Sequence, residues 1–175
     1  MMNFKETLKP AYSIENLSVE KFNKNPSFYQ KSFDEITISQ NLCTENWTDF
    51  FTNHPINSIT YIKKNDKIVS FIYATPHRDY EIYDDTDLEH WVINYIKTHK
   101  HFEGNGYAYL VTIAGLEDMK KKGAKQVDFL PNQKSSMLFK KIIDYNNIGN
   151  LVNSKQVGRK IIIFNKSFLN IENCI

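Results

Sequence analysis

The sequence His101-Phe102-Glu103-Gly104-Asn105-Gly106 separates an apolar, strand-like run over residues 91–96 from a helix-like run over residues 107–121. Glycine has no Cβ and adopts positive φ at little cost, so a Gly-x-Gly turn lets the backbone approach a ligand closely. The helix that follows directs unpaired N–H groups and the positive end of its dipole at whatever lies above the turn. This arrangement is typical of a phosphate-binding site. A tight strand-to-helix corner is the alternative, and the two glycines alone do not decide between them.

The composition of the whole chain indicates a globular protein. Its 175 residues are 41% hydrophobic, which suits one domain over 1–175 with a real core. A formal net charge of +2 is too small to argue for nucleic acid. Cys43 and Cys174 match no metal-ligand spacing or disulfide framework. With no apolar leader and no run of roughly 18 apolar residues, we expect a cytoplasmic, soluble monomer or homodimer without metal, nucleic-acid or membrane partners.

The first half of the chain predicts two helices and then three strands. Residues 14–22 indicate only a strand or turn. One helix is predicted over 27–40, after Asn25-Pro26-Ser27, and another begins with Thr44 as its N-cap and ends at His54-Pro55. Strands follow over 58–63 and 67–75, joined through residues 64–66, and a third runs from His90 to Lys97. These strands form a meander before the glycine turn.

The second half alternates helices with strands. A helix is predicted over 106–122, where three lysines load the last turn and Gly123 ends it. A buried strand over 126–130 is followed by a helix over 135–143. Two antiparallel strands, 150–154 and 159–166, close the chain. The fold class is therefore α+β, a mixed sheet flanked by helices.

This order of elements, together with two motifs, resembles the GNAT family of acyl-CoA N-acyltransferases over residues 26–166. The family's pyrophosphate motif is Arg or Gln, two residues, Gly, one residue, then Gly or Ala. It falls on 101–106, where both glycines match and His101 replaces the leading residue. A second motif, Asn, two residues, Ala, two residues, Leu-Tyr, falls on 132–139. There Asn132 and Leu138 match, whereas Ser135 and Phe139 replace Ala and Tyr.

The resemblance implies a mostly antiparallel, twisted sheet that splits between its fourth strand, ending near Lys97, and its fifth, ending near Leu130. Acetyl-CoA is the implied co-substrate. Its pantetheine arm would lie in the split, and its pyrophosphate would rest on backbone N–H groups of residues 102–106. The expected binding residues are Tyr95, Ile96, Lys97, His101, Phe102, Glu103, Gly104, Asn105, Gly106, Tyr107, Asn132, Ser135 and Phe139.

Transfer of an acetyl group to an amine calls for a base, because an amine with a pKa near 10 is mostly protonated at pH 7. Glu89 is the first candidate and His90 the second, with Asp87 behind them. A backbone N–H near Tyr95 or Ile96 would polarise the thioester carbonyl. Phe139 cannot supply the proton that the departing thiolate takes up. Tyr145 is therefore the first candidate acid, with Ser135, Ser136 or solvent as alternatives.

The acceptor is expected to be a small-molecule or peptide amine. Six carboxylates lie between Asp79 and Glu89, just before the fourth strand of the sheet. Their charge would steer a cationic acceptor such as a polyamine, an aminoglycoside or a lysine-bearing peptide. A solvated acidic loop is the alternative interpretation of this segment.

Two other functions compete with an N-acetyltransferase. His101 and Phe139 depart from the family's pattern and are consistent with a catalytically silent protein of the same fold that binds or senses CoA. The lysine clusters and abundant aromatic residues allow a small RNA-binding domain, but no aromatic strand motif lies beside them.

Overall fold

The computed structural model describes residues 11–53, 56–78, 86–154 and 158–165. Within them lie seven strands and five α-helices, and a short 3₁₀ turn, Lys100–Phe102, precedes the glycine turn. The elements in chain order are β1 (Ser13–Asn16), α1 (Val19–Lys24), α2 (Pro26–Ser39), α3 (Trp47–Asn53), β2 (Ser58–Lys64), β3 (Lys67–Arg78), β4 (Thr86–Thr98), α4 (Tyr107–Lys121), β5 (Gln126–Phe129), α5 (Gln133–Asn146), β6 (Gly149–Asn153) and β7 (Lys160–Phe164).

The strands form one sheet in the order β1-β2-β3-β4-β5-β7-β6. Every neighbouring pair is antiparallel except β4 and β5, which run parallel. The connection between these two strands is α4, as a parallel crossover requires. The predicted mixed, mostly antiparallel fold is confirmed.

Two predicted helix starts differ from the structure because side-chain caps decide them. α3 begins after Asn46, whose Oδ1 accepts a hydrogen bond from the Asp49 N–H at 3.3 Å, so Thr44 is not the N-cap. α5 begins at Gln133 instead of Ser135, since Asn132 caps it. The start of α2 at Pro26, after Asn25, agrees with the sequence pattern.

The hairpin between β2 and β3 is tighter than predicted. Lys64 pairs with Lys67, so the turn has only two residues, Asn65 and Asp66. Both have positive φ, +48° and +62°, as a type I′ turn requires. Asn and Asp tolerate that conformation better than most residues.

Helices pack against both faces of the sheet, and each face has its own apolar cluster. The first, rich in aromatic rings, includes Phe33, Trp47, Phe71 and Tyr73 and lies under α1 to α3. The second contains Ile72, Trp91, Val111, Leu116, Val127, Phe139 and Ile162 and involves α4 and α5.

Buried Asp118 anchors α4 to the first strands. Its carboxylate accepts hydrogen bonds from Ser58 Oγ at 2.5 Å and Asn16 Nδ2 at 3.2 Å, and Lys122 Nζ lies 2.6 Å away. Because all of these partners are polar and close, the burial of the carboxylate is compensated. The opposite end of the same helix carries the glycine turn, whose position is thereby tied to the sheet.

Candidate functional site

The sheet forks between β4 and β5. The two strands pair only from His90 to Val92 on β4, and their last pair is Val92 with Asp128. Beyond that point β4 continues to Thr98 alongside β3, whereas β5 ends at Phe129. Among the described residues, no strand therefore pairs with the second edge of β4 from residue 93 onward, and its backbone polar groups face the fork.

A β-bulge in β4 sets which side chains line the fork. Tyr73 pairs with Tyr95 and Ala74 with Ile93, so Asn94 is the extra residue. Before the bulge, Ile93 belongs to the apolar cluster beneath α4. After it, Tyr95 packs into the aromatic cluster on the opposite face, and Ile96 joins the α4 side. The bulge thus reverses the alternation of side chains at the point where β4 leaves β5.

The glycine turn has the backbone of an anion cradle. Gly104 and Gly106 have φ of +80° and +78°, and a Cβ at either position would meet no atom within 4 Å. The side-chain amide of Asn105 donates, through Nδ2, to the backbone carbonyl oxygens of Phe102 and Glu103 at 3.1 and 3.2 Å. These hydrogen bonds keep the turn closed. α4 then begins at Tyr107 with Gly106 as its N-cap, so no N-cap side chain covers the first-turn N–H groups.

A cleft of about 350 Å³ joins the cradle to the unpaired edge of β4. It is bounded by the end of β4, the glycine turn, the first turn of α4 and the first turn of α5. Its lining residues are Gln40, Ile96, Lys97, Thr98, Phe102, Glu103, Gly104, Gly106, Tyr107, Ala108, Asn132, Lys134, Ser135 and Leu138. Nine of the thirteen predicted cofactor-binding residues thus lie around one cavity.

The start of α5 forms the opposite wall of the cleft. Asn132 Oδ1 accepts a hydrogen bond from the Ser135 N–H, and Ser135 Oγ accepts one from the Asn132 N–H, each at 2.8 Å. This is a capping box, which explains why these residue types stand three positions apart. Their side chains hold the helix end in place, and the helix N-terminus contributes a second positive dipole end near the cleft.

The cleft has more positive than negative side chains. Lys97 and Lys134 line it, and within the described parts of the chain neither forms an ion pair with a carboxylate. Burial lowers the pKa of Lys97 from its ordinary value. Glu103 is the one carboxylate among the lining residues just named. The cavity therefore suits an anion, and the negative charge of Glu103 would weaken its binding.

The other four predicted binding residues lie elsewhere. The Phe139 ring is fully buried, 4.0 Å from that of Phe129 between centroids, and belongs to the core. Tyr95 points to the aromatic cluster on the other face. His101 lines a separate depression with His99 and Glu35, and the Asn105 amide bonds the turn itself. Direct contact of these side chains with a ligand in the cleft is not indicated.

His101 also bears on the register of the pyrophosphate motif. The pattern fits equally two residues later, over 103–108, with Glu103 leading and Ala108 last. In that register Glu103, Gly106 and Ala108 all line the cleft, whereas His101 does not. The structure favours the second register.

The candidate acid and base residues are spread along the sheet. Glu89 is exposed and pairs with Lys125, with 2.6 Å between Oε1 and Nζ. His90 lies at the fork, where its Nε2 is 3.9 Å from Asp128 Oδ2, and Arg159 Nε donates to Asp128 Oδ1 at 2.8 Å. Tyr145 is 76% exposed and lies about 15 Å along the axis of α5 from Ser135. Of Glu89, His90 and Tyr145, only His90 is close to the fork, whereas Ser135, an alternative acid, lines the cleft.

Most of the acidic segment lies outside the described residues. Residues 79–85 lie outside the described residues, as does the side chain of Asp87. The described residues contain no cluster of three or more His, Cys, Asp or Glu that could hold a metal ion. No helix in those parts is long and apolar enough to span a membrane.

The sequence matches the model of the acetyltransferase (GNAT) family over residues 13–145. The chain belongs to this family. Among curated proteins, none matches the sequence. The family resemblance expected from the two motifs is thereby confirmed, and the forked sheet with a glycine turn at the start of α4 is the form that this family's fold takes in the chain.

Solved structures share the fold at low sequence identity. The PH1933 protein of Pyrococcus horikoshii OT3 has a TM-score of 0.60 and 17% identity, covering 87% of this chain and 99% of its own. A GNAT acetyltransferase of Brucella melitensis, solved with acetyl-CoA, has a TM-score of 0.56 and 9% identity, covering 88% of each chain. An aminoglycoside acetyltransferase from an uncultured soil metagenomic sample, solved with sisomicin, has a TM-score of 0.53 and 12% identity. The match covers 83% of this chain and 95% of that one.

Sequence reasoning missed several residues of the site. Gln40 reaches the cleft from the end of α2, where its Nε2 donates to the carbonyl oxygen of Thr98. Neither residue carries a local signal, because the contact spans 58 positions of the chain. Ala108 follows Gly106 by two residues, and Leu138 matches the second family motif. Their spacing from Gly106 and Asn132 is the signal that could have assigned them to the cleft.

Proposed function

We propose that this family member transfers an acetyl group from acetyl-CoA to a primary amine. The observation that carries the proposal is the cleft itself, in which a glycine turn at a helix N-terminus opens onto the unpaired edge of β4. A long, narrow anionic thioester fits such a site. Its phosphates suit free N–H groups, and its amide-containing arm suits a strand edge.

The residues present fit acetyl-CoA. The first-turn N–H groups of α4, with Gly104 and Gly106, would hold the pyrophosphate, because no side chain at either glycine fills the space above them. Lys97 and Lys134 would add positive charge. The free edge of β4 after Val92 would accept and donate backbone hydrogen bonds to the pantetheine arm. Acetyl-CoA supplies the activated acyl group.

His90 is the best placed of the candidate bases. A neutral imidazole can take a proton from an ammonium group directly or through water. Asp128, fixed by Arg159, stands beside it at the fork. The departing CoA thiolate is a good leaving group and takes its proton from solvent, since Tyr145 is remote and the Ser135 hydroxyl donates to the Asn132 carbonyl oxygen at 3.2 Å.

A catalytically silent CoA-binding protein is the second candidate. It is favoured by the positions of the predicted acid and base: Phe139 is buried in the core, Tyr145 is remote, and Glu89 is paired with Lys125. Such a protein would bind acetyl-CoA through the same cleft without releasing CoA.

Two measurements, first of acetyl-CoA binding and then of turnover, distinguish the acetyltransferase from the silent CoA-binding protein. We expect saturating acetyl-CoA to raise the melting temperature by several degrees, because it binds only the folded state. We then expect release of free CoA thiol with at least one amine among spermidine, sisomicin and a lysine-bearing tripeptide. Binding without thiol release for any amine would favour the silent protein, and no binding would refute both.

Replacement of Glu103 by glutamine is expected to tighten acetyl-CoA binding. A carboxylate in a partly exposed cleft repels a pyrophosphate, and removing its charge while keeping its shape should lower the dissociation constant about two- to fivefold. Isothermal titration calorimetry at low and high salt would measure this. Asp144→Asn, an exposed carboxylate on α5, gives the same change of net charge away from the cleft. Equal affinity in wild type and Glu103→Gln would mean that Glu103 does not face the phosphates.

A further inference from the structure

The connection between α2 and α3 carries a carboxylate that the cofactor cleft does not use. Glu45 Oε1 accepts a hydrogen bond from the Tyr95 hydroxyl at 2.7 Å. Burial and this carboxylate raise the pKa of Tyr95 to about 12, so the phenol stays a donor at neutral pH. The neutral Tyr95 hydroxyl therefore orients the Glu45 carboxylate and carries no negative charge of its own that could bind a cation.

The position of Glu45 is set by the backbone around it. Gln30 Nε2 donates to the Glu45 carbonyl oxygen at 2.7 Å, and Gln30 Oε1 accepts from the Trp47 N–H at 2.9 Å. At the other end of the same connection, Gln40 bonds the carbonyl oxygen of Thr98. Two residues of the connection thus reach β4, three residues apart on that strand. The carboxylate is held beside β4 instead of moving freely in solvent.

Glu45 forms no ion pair with a lysine or arginine within the described parts of the chain. Among the other half-buried or buried carboxylates described there, Glu15, Asp118 and Asp128 each pair with a lysine or arginine, whereas Asp34 accepts hydrogen bonds from Gln30 and Glu117 forms no ion pair. Next to Glu45, the Tyr95 ring packs against those of Trp47 and Phe50, with centroids 5.8 and 6.2 Å apart. A carboxylate beside aromatic rings attracts an ammonium group through both charge and ring quadrupoles.

Tyr95 links the surroundings of Glu45 to the cofactor cleft. It is the first residue after the bulge in β4, and the next residue, Ile96, lines the cleft. Lys97, which also lines the cleft, has its Nζ 5.9 Å from the centroid of the Tyr95 ring. A group bound at Glu45 would therefore lie on the other face of β4 from α4, next to the strand edge along which the thioester is proposed to lie.

We propose that Glu45, with Tyr95 beside it, binds an ammonium group of a cationic amine acceptor. The inference rests on the proposed acetyltransferase function and adds the acceptor's class to it. An acceptor with two or more amino groups would leave one ammonium on Glu45 while another amine, as the free base, attacks the thioester. The C–N bond forms as the C–S bond breaks, CoA leaves as the thiolate, and the proton lost from nitrogen passes to the base at the fork.

Glu45→Gln tests this role without removing the hydrogen bond to Tyr95, because the amide oxygen still accepts it. With the protein saturated by CoA, we expect spermidine to bind Glu45→Gln about five- to tenfold more weakly than wild type, with the difference shrinking as salt rises. In turnover with acetyl-CoA and spermidine, KM should rise while kcat changes little. Asp144→Asn, which makes the same change of net charge on α5, should bind spermidine as wild type does.

The outcomes separate this inference from the function on which it rests. Unchanged acetyl-CoA affinity in Glu45→Gln together with weaker spermidine binding supports the proposal. Equal spermidine affinity in wild type and Glu45→Gln, or no spermidine binding to a wild-type protein that binds acetyl-CoA, overturns the inference alone. Failure of wild type to bind acetyl-CoA overturns the proposed function and the inference with it.

Discussion

Replacing Gly106 with valine is expected to weaken acetyl-CoA binding about thirtyfold or more. Gly106 has φ +78°, which a β-branched residue adopts only with strain, so the turn would move out of its present shape. A Cβ there meets no protein atom within 4 Å and would project into the space proposed for the phosphates. The loss of one charge-assisted hydrogen bond, about 2 kcal/mol, already corresponds to this factor.

Gly158→Val is the matched control for this substitution. Gly158 has nearly the same φ, +79°, and equally open surroundings, but it lies before β7 and not in the cleft. Both variants should lose a similar amount of stability in urea unfolding, because the backbone strain is the same. Only Gly106→Val should lose affinity in calorimetry. Comparable affinity losses in both variants would assign the effect to stability and not to the cradle.

The local signals in the sequence predicted most of the fold. Periodicity and caps placed α2, α4, β2, β3 and β5 to within a few residues, since each has a clear apolar face and a turn or cap at its ends. The prediction missed the helix α1, for which residues 14–22 indicated only a strand or turn, and began β4 at His90 instead of Thr86. Two other errors occurred where side-chain hydrogen bonds decide a helix start. Asn46 caps α3 in place of Thr44, and the capping box of Asn132 and Ser135 starts α5 earlier than its apolar pattern suggests.

The cradle could be predicted, but its register could not. Glycines at 104 and 106 and alanine at 108 recur every second residue, so the family's motif fits in two positions. Only the three-dimensional positions of the leading residues distinguish the two registers. Glu103 lines the cleft, whereas His101 lines a separate depression. The bulge at Asn94 had no sequence signal either, and without it Tyr95 would be expected on the face of β4 that Ile93 occupies.

The proposed acceptor site depends on contacts between distant parts of the chain. Glu45 is 50 residues from Tyr95, and Gln40 is 58 from Thr98. No local pattern marks such pairs, because each residue type is ordinary in a helix connection. The sequence instead pointed to the acidic segment over 79–89, most of which lies outside the described residues, so its steering role stays a prediction.

Gly115→Ala is expected to destabilise the protein by about 1–2 kcal/mol, although alanine is the better helix former. In an exposed helix the substitution would gain about 1 kcal/mol. In α4, however, a Cβ at Gly115 would lie 2.4 Å from Cγ2 of Ile72 on β3, whose side chain is buried. Overpacking costs about 1–3 kcal/mol, and an approach of 2.4 Å calls for the upper part of this range, which outweighs the gain. Urea unfolding with an unchanged m-value would measure it.

A double-mutant cycle with Ile72→Ala tests the cause of this effect. Ile72→Ala removes the two atoms that would lie closest to the new methyl group, Cγ2 at 2.4 Å and Cδ1 at 3.2 Å, and leaves Cβ at 3.5 Å, an ordinary contact. In that background Gly115→Ala should be neutral or stabilising, giving a coupling energy of about 1–3 kcal/mol. An equal cost in both backgrounds would exclude the clash. Because α4 begins at the cradle, Gly115→Ala should also weaken acetyl-CoA binding, and Ile72→Ala should restore part of that affinity if the close contact of α4 with β3 holds the N–H groups in place.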